Sequence, residues 1–186
     1  MKKDELGGVI YQPKWIDPVT GIEHILGNEL ENNVIVNGNP NELEAELKLL
    51  EAKDGKYLGF GDDGEVFLHK LNNKKYAVKI YHEKRRSDGI DQFKCMRKIN
   101  ELGIESPKVY AASLRTLVMD FISYPMLINT LKFLKPKQSE NILKLWDKLM
   151  EYICKILPNE LIDRSPVNGY VKPCKKGYKL GVFDQG

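Results

Sequence analysis

A glycine-rich segment followed by a lysine is the feature that most constrains how this chain folds. Residues 59–66 read GFGDDGEV and residues 76–80 read YAVKI. Three glycines at G-x-G-x-x-G spacing let a backbone turn tightly and bring its N–H groups close to phosphate oxygens. Residues 66–70 continue as a strand and do not open a helix, which disfavours a dinucleotide-binding βα turn. The segment therefore predicts a phosphate-binding loop on a β-hairpin, with Lys79 one strand later as a compact positive charge.

Local sequence signals predict the elements that surround this loop. Strands are predicted over 57–60, 66–71 and 75–81, with Asn72-Asn73 as the turn between the last two. A helix is predicted over 88–102, where apolar residues recur at helical spacing, and Gly103 ends it. Two further strands are predicted at 109–111 and 117–119.

The flanking regions predict additional helices and a hairpin. Ahead of the loop, the chain is rich in turn residues, with a short strand at 34–36 and a helix over 40–53. Behind it, residues 123–137 predict a loop and one helix, and 139–157 a long amphipathic helix capped by Ser139. A hairpin then follows over 169–171 and 178–183.

Composition excludes several classes of protein. A hydrophobic fraction of 42% and a charged fraction of 30% are typical of a soluble globular chain. No apolar run reaches the roughly 18 residues that a membrane span needs, and the first residues do not form a secretory signal. Three widely spaced cysteines predict neither a disulfide framework nor a metal knuckle, which favours a reducing cytoplasm.

Charge is unevenly distributed along the chain. Residues 1–58 carry six lysines against eleven acidic residues, a net charge of −5, and the remaining residues carry +8. Such an imbalance is typical of ordinary solvated surface, and a basic second part also favours anionic ligands such as nucleotides, or an acidic protein substrate. No arrangement of arginines and aromatic residues predicts binding to nucleic acid.

A second motif lies near the end of the sequence. Asp163 and Asn168 are five residues apart, and the predicted hairpin and then Asp184-Gln185-Gly186 follow them. Together with the glycine loop, Lys79 and the long helix, this order resembles the protein kinase pattern of D-x-x-x-x-N, two short strands and D-F-G. The resemblance covers residues 57–186.

The resemblance implies an α+β, protein kinase-like fold. It comprises a five-stranded antiparallel small lobe with one helix, followed by the start of a helical large lobe. The implied boundaries are an N-terminal extension over 1–56, the small lobe and hinge over 57–122, and a partial large lobe over 123–186.

The resemblance also implies a role for each motif in ATP- and Mg²⁺-dependent phosphoryl transfer. Asp163 would accept the proton of the acceptor hydroxyl, and Lys79 would neutralise phosphate oxygens. Asn168 and Asp184 would hold Mg²⁺. Residues 119–122 match the hinge, whose backbone groups would hydrogen-bond adenine. The implied nucleotide-binding residues are Gly59, Phe60, Gly61, Gly64, Val66, Ala77, Lys79, Met119, Asp120 and Ile122.

Several positions depart from the family pattern. Leu161-Ile162 replace the usual His-Arg before Asp163, and Ser165 replaces a lysine. Gln92 falls at the helix position where a glutamate should pair with Lys79, and Gln185 replaces the central Phe of D-F-G. No activation segment follows within the sequence, so a peptide-binding platform is either missing or lies in residues outside it.

These departures leave three functions open. The leading prediction is a serine/threonine protein kinase-like phosphotransferase, with ATP and an unknown protein or small-molecule acceptor as partners, and neither nucleic acid nor membrane. The missing glutamate favours a pseudokinase that binds a nucleotide or a partner without catalysis. A small-molecule kinase of the aminoglycoside or choline type is the third, although the His-Gly-Asp usual there is absent.

Overall fold

The computed structural model describes most of the chain from residue 55 onwards. The described residues are 55–82, 89–158, 163–175 and 177–183, the helical residues 49–50, and five short strands before them. The chain divides into two compact units. The first comprises Met1–Lys94 and Val109–Phe121, and the second comprises Cys95–Lys108 and Ile122–Gly186.

The order of the elements confirms the predicted α+β fold. The strands are β1 (Lys2–Lys3), β2 (Val9–Tyr11), β3 (Lys14–Ile16), β4 (Glu23–Ile25), β5 (Val34–Val36), β6 (Lys56–Phe60), β7 (Gly64–Leu71), β8 (Lys74–Tyr81), β9 (Val109–Ala112), β10 (Thr116–Asp120), β11 (Gly169–Cys174) and β12 (Gly177–Val182). The helices are α1 (Gly89–Glu101), α2 (Leu127–Leu131) and α3 (Pro136–Ile156), with a 3-10 turn at Pro166–Asn168.

The sheet of the first unit is larger than the sequence predicts. Its order is β1-β2-β5-β9-β10-β8-β7-β6, so the five predicted strands β6 to β10 are contiguous within eight. Strand β5 joins the edge of β9 through the antiparallel pairs Ile35↔Ala112 and Val36↔Ala111. Strands β3 and β4 pair separately with each other. The strand predicted at 34–36 is confirmed as β5. Strands β1 and β2 have three residues or fewer, too few to show a periodicity of two.

The β7–β8 hairpin has the turn that its sequence predicts. Asn72 and Asn73 both adopt positive φ, at 50° and 61°. Two consecutive left-handed residues form the turn whose twist matches antiparallel strands, and asparagine tolerates that conformation well. The hairpin pairs over eight positions, from Gly64↔Tyr81 to Leu71↔Lys74.

One face of this sheet carries the hydrophobic core of the first unit. Tyr76 and Val78 of β8 pack with Val118 of β10 and Tyr110 of β9. Leu49 is buried in the same cluster. Apart from Leu49 and Leu50, which are helical, the helix predicted over 40–53 lies outside the described residues.

Helix α1 begins and ends at glycines for different reasons. A Cβ on Gly89 would lie 2.2 Å from the Ser113 carbonyl oxygen, so this start of the helix has no room for a side chain. Gly103, with φ of 72°, ends the helix in the left-handed conformation that the sequence predicts. The Ile104 N–H then donates to the Ile99 carbonyl at 3.2 Å.

Helix α3 starts earlier than predicted. It begins at Pro136, a residue suited to the first helical position, and the Lys135 N–H donates to the Gln138 side chain at 3.2 Å. The prediction that Ser139 caps the helix is therefore wrong. Ser139 lies inside the first turn, and its hydroxyl donates to the Leu131 carbonyl at 3.1 Å.

The second unit is organised around the buried face of α3. Trp146 is fully buried there, and its Nε1–H donates to the Arg164 carbonyl at 2.9 Å. Gly169 approaches the same ring so closely that an added Cβ would lie 2.7 Å from it. Trp146 thus fixes both ends of the segment that contains Asn168.

An ion pair connects the β11–β12 hairpin to the loop after α1. Lys172 Nζ lies 2.6 Å from Glu105 Oε1, and the Val182 N–H donates to the Glu105 carbonyl at 2.9 Å. The hydrogen bond to Glu105 raises the pKa of Lys172 above its usual value. In the part of the chain that the structure describes, no helix has the length and apolar character to cross a membrane.

We predict that Trp146→Phe destabilises the chain and that Tyr152→Phe, on the exposed side of the same helix, does not. The first change leaves the Arg164 carbonyl without its donor, which costs about 1–3 kcal/mol. Urea unfolding of the two variants and the parent measures this difference. Equal midpoints for all three would show that the indole hydrogen bond contributes nothing to stability.

Candidate functional site

The glycine-rich segment forms the turn between β6 and β7, as predicted. The Gly61 N–H donates to the Gly64 carbonyl at 2.8 Å, which closes the turn. Gly59 then pairs with Val66 as the two strands continue. Phe60, the last residue of β6, is 80% exposed. The loop is thus a well-formed hairpin end with an aromatic side chain directed to solvent.

The three glycines of the loop are not equivalent. A Cβ on Gly64 would lie 2.2 Å from the Ile80 carbonyl oxygen, so the adjacent strand excludes a side chain there. At Gly59 and Gly61, an added Cβ would have no protein atom within 4 Å in the described structure, and neither residue has positive φ. Of the three glycines, only Gly64 lies where the adjacent strand leaves no room for a side chain. Open space above Gly59 and Gly61 is what a closely approaching ligand requires.

Strand register gathers five predicted site residues on one face of the sheet. Residues directly opposite in antiparallel strands point to the same side. One row of facing residues crosses three strands, because Gly59 of β6 lies opposite Val66 of β7, and Val66 lies opposite Lys79 of β8. The neighbouring row includes Ala77↔Met119. Since positions two apart on a strand share a face, both rows lie on the side opposite the hydrophobic core.

Lys79 is buried on this face beside helix α1. Its side chain is 4% exposed, and Nζ donates to Gln92 Oε1 at 3.3 Å. Nζ also lies 4.7 Å from the centroid of the Tyr81 ring. The prediction that Gln92 occupies the helix position facing Lys79 is confirmed. Neither of these two contacts carries a negative charge, so they orient the ammonium without neutralising it.

Tyr81 belongs to this cluster, although it is not among the site residues predicted from the sequence. It is 4% exposed, and its hydroxyl donates to the same Gln92 Oε1. The alternation of side chains along a strand could have identified it, because Tyr81 is two residues after Lys79 on a predicted strand and therefore shares its face. Without the helix in place, nothing in the sequence showed that the two side chains share a partner.

The predicted hinge residues are distributed over the two units. Met119 is buried on the face with Ala77. The Asp120 side chain accepts a hydrogen bond from the Tyr110 hydroxyl at 2.7 Å and lies 3.7 Å from Lys74 Nζ. Ile122 is half-buried in the second unit. The adenine-binding role of Met119, Asp120 and Ile122 stays a prediction.

The structure brings Asp163 and Asn168 into direct contact. Asn168 Nδ2 donates to Asp163 Oδ2 at 2.8 Å, and the Ser165 N–H donates to Asp163 Oδ1 at 2.8 Å. The Asn168 N–H donates to the Ser165 carbonyl at 3.0 Å. Because the amide nitrogen of Asn168 faces Asp163, the amide oxygen is the atom left to offer a cation, and Mg²⁺ prefers oxygen ligands.

Asp184, the second predicted metal ligand, lies outside the described residues. Its neighbour Phe183 donates its N–H to the Asn168 carbonyl at 2.8 Å, and its ring lies 4.7 Å from the Tyr170 ring. Among the residues that the structure describes, no group of three or more His, Cys, Asp or Glu side chains could hold a metal ion. The assignment of Mg²⁺ to Asn168 and Asp184 stays a prediction.

Comparison with known proteins gives matches in structure only. No family model and no curated protein match the sequence. WaaP in complex with acyl carrier protein aligns over 82% of this chain and 70% of its own, with TM-score 0.53 and 14% identity. The Rio2 kinase–ADP/Mg²⁺–phosphoaspartate complex of Chaetomium thermophilum aligns over 95% of this chain, with TM-score 0.53 and 16% identity. Another structure of that kinase gives TM-score 0.52 over 94% of the chain, with 15% identity.

The partial coverage and low sequence identity of these matches support a conclusion about the fold only. The chain spans 57% and 58% of the length of the two Rio2 kinase structures. Identities this low show a shared architecture and not a shared activity. The sheet, its helix, the glycine loop and these structural relatives together establish that the chain has a protein kinase-like fold.

Proposed function

We propose that this chain binds ATP with Mg²⁺ and transfers the γ-phosphoryl group to an acceptor hydroxyl, as a serine/threonine protein kinase-like phosphotransferase. The observation that carries the proposal is the face of the sheet on which Lys79 lies in register with Gly59 and Val66. A buried lysine is uncommon, and this one lies on the face where the glycines leave open space.

The proposed contacts to ATP follow from that face. Val66 and Ala77 would pack on the adenine ring, and the backbone of residues 119–122 would hydrogen-bond its edge. Backbone N–H groups of the loop would approach the phosphates above Gly59 and Gly61. Lys79 would contact phosphate oxygens, where an ammonium serves as a point charge.

The proposed transfer step depends on residues of the second unit. The acceptor oxygen forms a bond to the γ-phosphorus as the bond from that phosphorus to the bridging oxygen of ADP breaks, and the hydroxyl proton passes to Asp163. The Ser165 N–H and the Asn168 amide hold the Asp163 carboxylate in a fixed orientation. Asn168 and Asp184 would hold Mg²⁺, which neutralises charge on the phosphates when bound. Such a reaction requires positioning and charge stabilisation more than covalent assistance.

A nucleotide-binding module without catalysis is the second candidate. The observation that favours it is the neutral Gln92 at the position where a catalytic kinase pairs its lysine with a glutamate. The two candidates share the binding site and differ only in turnover. The nature of the acceptor, a protein or a small molecule, belongs to the same proposal.

Replacing Lys79 by Met tests the nucleotide site. The variant keeps the bulk of the side chain and removes its charge, so the affinity for Mg²⁺-ATP should fall at least about thirtyfold, or about 2 kcal/mol. Calorimetric titration measures this affinity. The control is Lys94→Met, which changes an exposed lysine of α1. The parent titrated with a chelator in place of Mg²⁺ should also bind more weakly. Unchanged affinity in Lys79→Met would refute the proposed site.

Alanine substitutions in the loop separate ligand binding from folding. Gly59→Ala and Gly61→Ala should lower the nucleotide affinity about tenfold and leave the urea midpoint unchanged or slightly raised. Gly64→Ala should instead destabilise the chain by about 1–3 kcal/mol, because the Cβ meets the Ile80 carbonyl. If nucleotide affinity survives in both Gly59→Ala and Gly61→Ala, the ligand does not approach this loop.

Replacing Asp163 by Asn tests catalysis. Turnover should fall about 10²- to 10⁴-fold while nucleotide affinity changes little, because the residue would act on the acceptor. The measurement is transfer of radiolabel from ATP to generic protein and small-molecule acceptors, with the exposed Asp147→Asn as the matched control. Full turnover in Asp163→Asn would exclude it as the base. A parent that binds ATP but transfers nothing would support the non-catalytic candidate.

A further inference from the structure

The oxygen of the Gln92 side chain accepts two hydrogen bonds in the interior of the first unit. Lys79 Nζ donates at 3.3 Å, and the Tyr81 hydroxyl donates to the same atom. All three side chains are buried, with Gln92 only 2% exposed. An ammonium carries donors and no acceptor, so the amide must turn its oxygen towards Lys79. The hydroxyl of Tyr81 faces that oxygen and therefore acts as a donor.

We infer that Tyr81 is a positioning residue for Lys79 and that it acts through Gln92. The inference rests on the proposed nucleotide site, because the ammonium that Tyr81 orients is the one assigned to the phosphates. Tyr81 would hold the amide in the orientation that presents oxygen, so that Lys79 stays in place for the ligand.

The chemistry of an amide explains why such a residue is needed. A carboxylate offers an acceptor whichever way it is rotated, whereas a flipped amide would point its NH₂ group at the ammonium. Two donors facing each other in a buried site repel and lose their hydrogen bonds. The second donor from Tyr81 favours the correct orientation and polarises the carbonyl. The pair of Gln92 and Tyr81 thus provides the orientation that a lone carboxylate would provide by itself.

The backbone around Tyr81 fixes the position of its ring. Tyr81 pairs with Gly64, the last glycine of the loop, and its N–H donates to the Arg115 carbonyl at 2.8 Å. Strand β7 on one side and the turn before β10 on the other therefore hold its backbone. Lys79 Nζ lies over the Tyr81 ring, a contact that phenylalanine would retain. Tyr81→Phe thus removes the hydroxyl and leaves the ring.

A double-mutant cycle tests the inference. Calorimetric titration with Mg²⁺-ATP compares the parent, Tyr81→Phe, Gln92→Glu and the double variant. We expect Tyr81→Phe to weaken binding five- to tenfold in the parent background. In the Gln92→Glu background the same change should weaken binding less than twofold, since a carboxylate orients Lys79 without help. Tyr76→Phe, a buried tyrosine on the core side of the same strand, is the control and should change affinity less than twofold.

A second measurement needs no nucleotide. In the ¹⁵N-labelled chain, Tyr81→Phe should shift the side-chain NH₂ signals of Gln92 and speed their exchange with solvent, whereas Tyr76→Phe should leave them in place. Equal losses of affinity in both backgrounds, or unchanged Gln92 signals, would overturn the inference. A parent that fails to bind nucleotide would instead overturn the proposed function, and the Gln92 signals would still decide whether Tyr81 orients the amide.

Discussion

The antiparallel register of strands β6, β7, β8 and β10 is the constraint on which the candidate nucleotide site depends. Because side chains alternate between the two faces of a sheet, a slip of one residue would exchange the faces of an entire strand. The same register that buries Val78 and Val118 in the core places Lys79 on the other side. Hydrophobic burial therefore positions the charged residue, although Lys79 makes no contribution to that core. The turn at Asn72-Asn73 fixes the register at its origin.

Burial of Lys79 has a cost that its neighbours must offset. Removing an ammonium from water is unfavourable unless dipoles or charges replace the lost solvation. The Gln92 carbonyl and the face of the Tyr81 ring are two such groups, and both are neutral. These two neutral contacts restrain the direction of the ammonium without neutralising its charge. A glutamate would bind the lysine more strongly and compete more strongly with phosphate for it.

The second unit holds its candidate residues in a different way. Asp163 and Asn168 lie in a loop, where no strand register fixes their side chains. Short-range hydrogen bonds to Ser165 and between the two side chains set their geometry. Trp146 anchors this loop to the long helix by an indole hydrogen bond on one side and by close packing against Gly169 on the other. Long-range burial of one side chain thus stabilises a local arrangement of polar ones.

The sequence by itself determined the elements whose signals are local. Helical spacing, the glycine that ends α1 and the asparagine turn each depend on neighbouring residues, and so does the motif that pairs Asp163 with Asn168. Tertiary structure decided the features that depend on distant segments. Among the three strands added to the sheet, β1 and β2 are too short to show a period, and the pairing of the predicted strand β5 with β9 joins segments far apart in the sequence. The difference between Gly64 and the other loop glycines arises from the adjacent β8, and the role of Tyr81 arises from the helix that presents Gln92. Such features are decided by which backbone lies beside which, because steric exclusion and shared hydrogen bonds depend on through-space distance and not on separation along the chain.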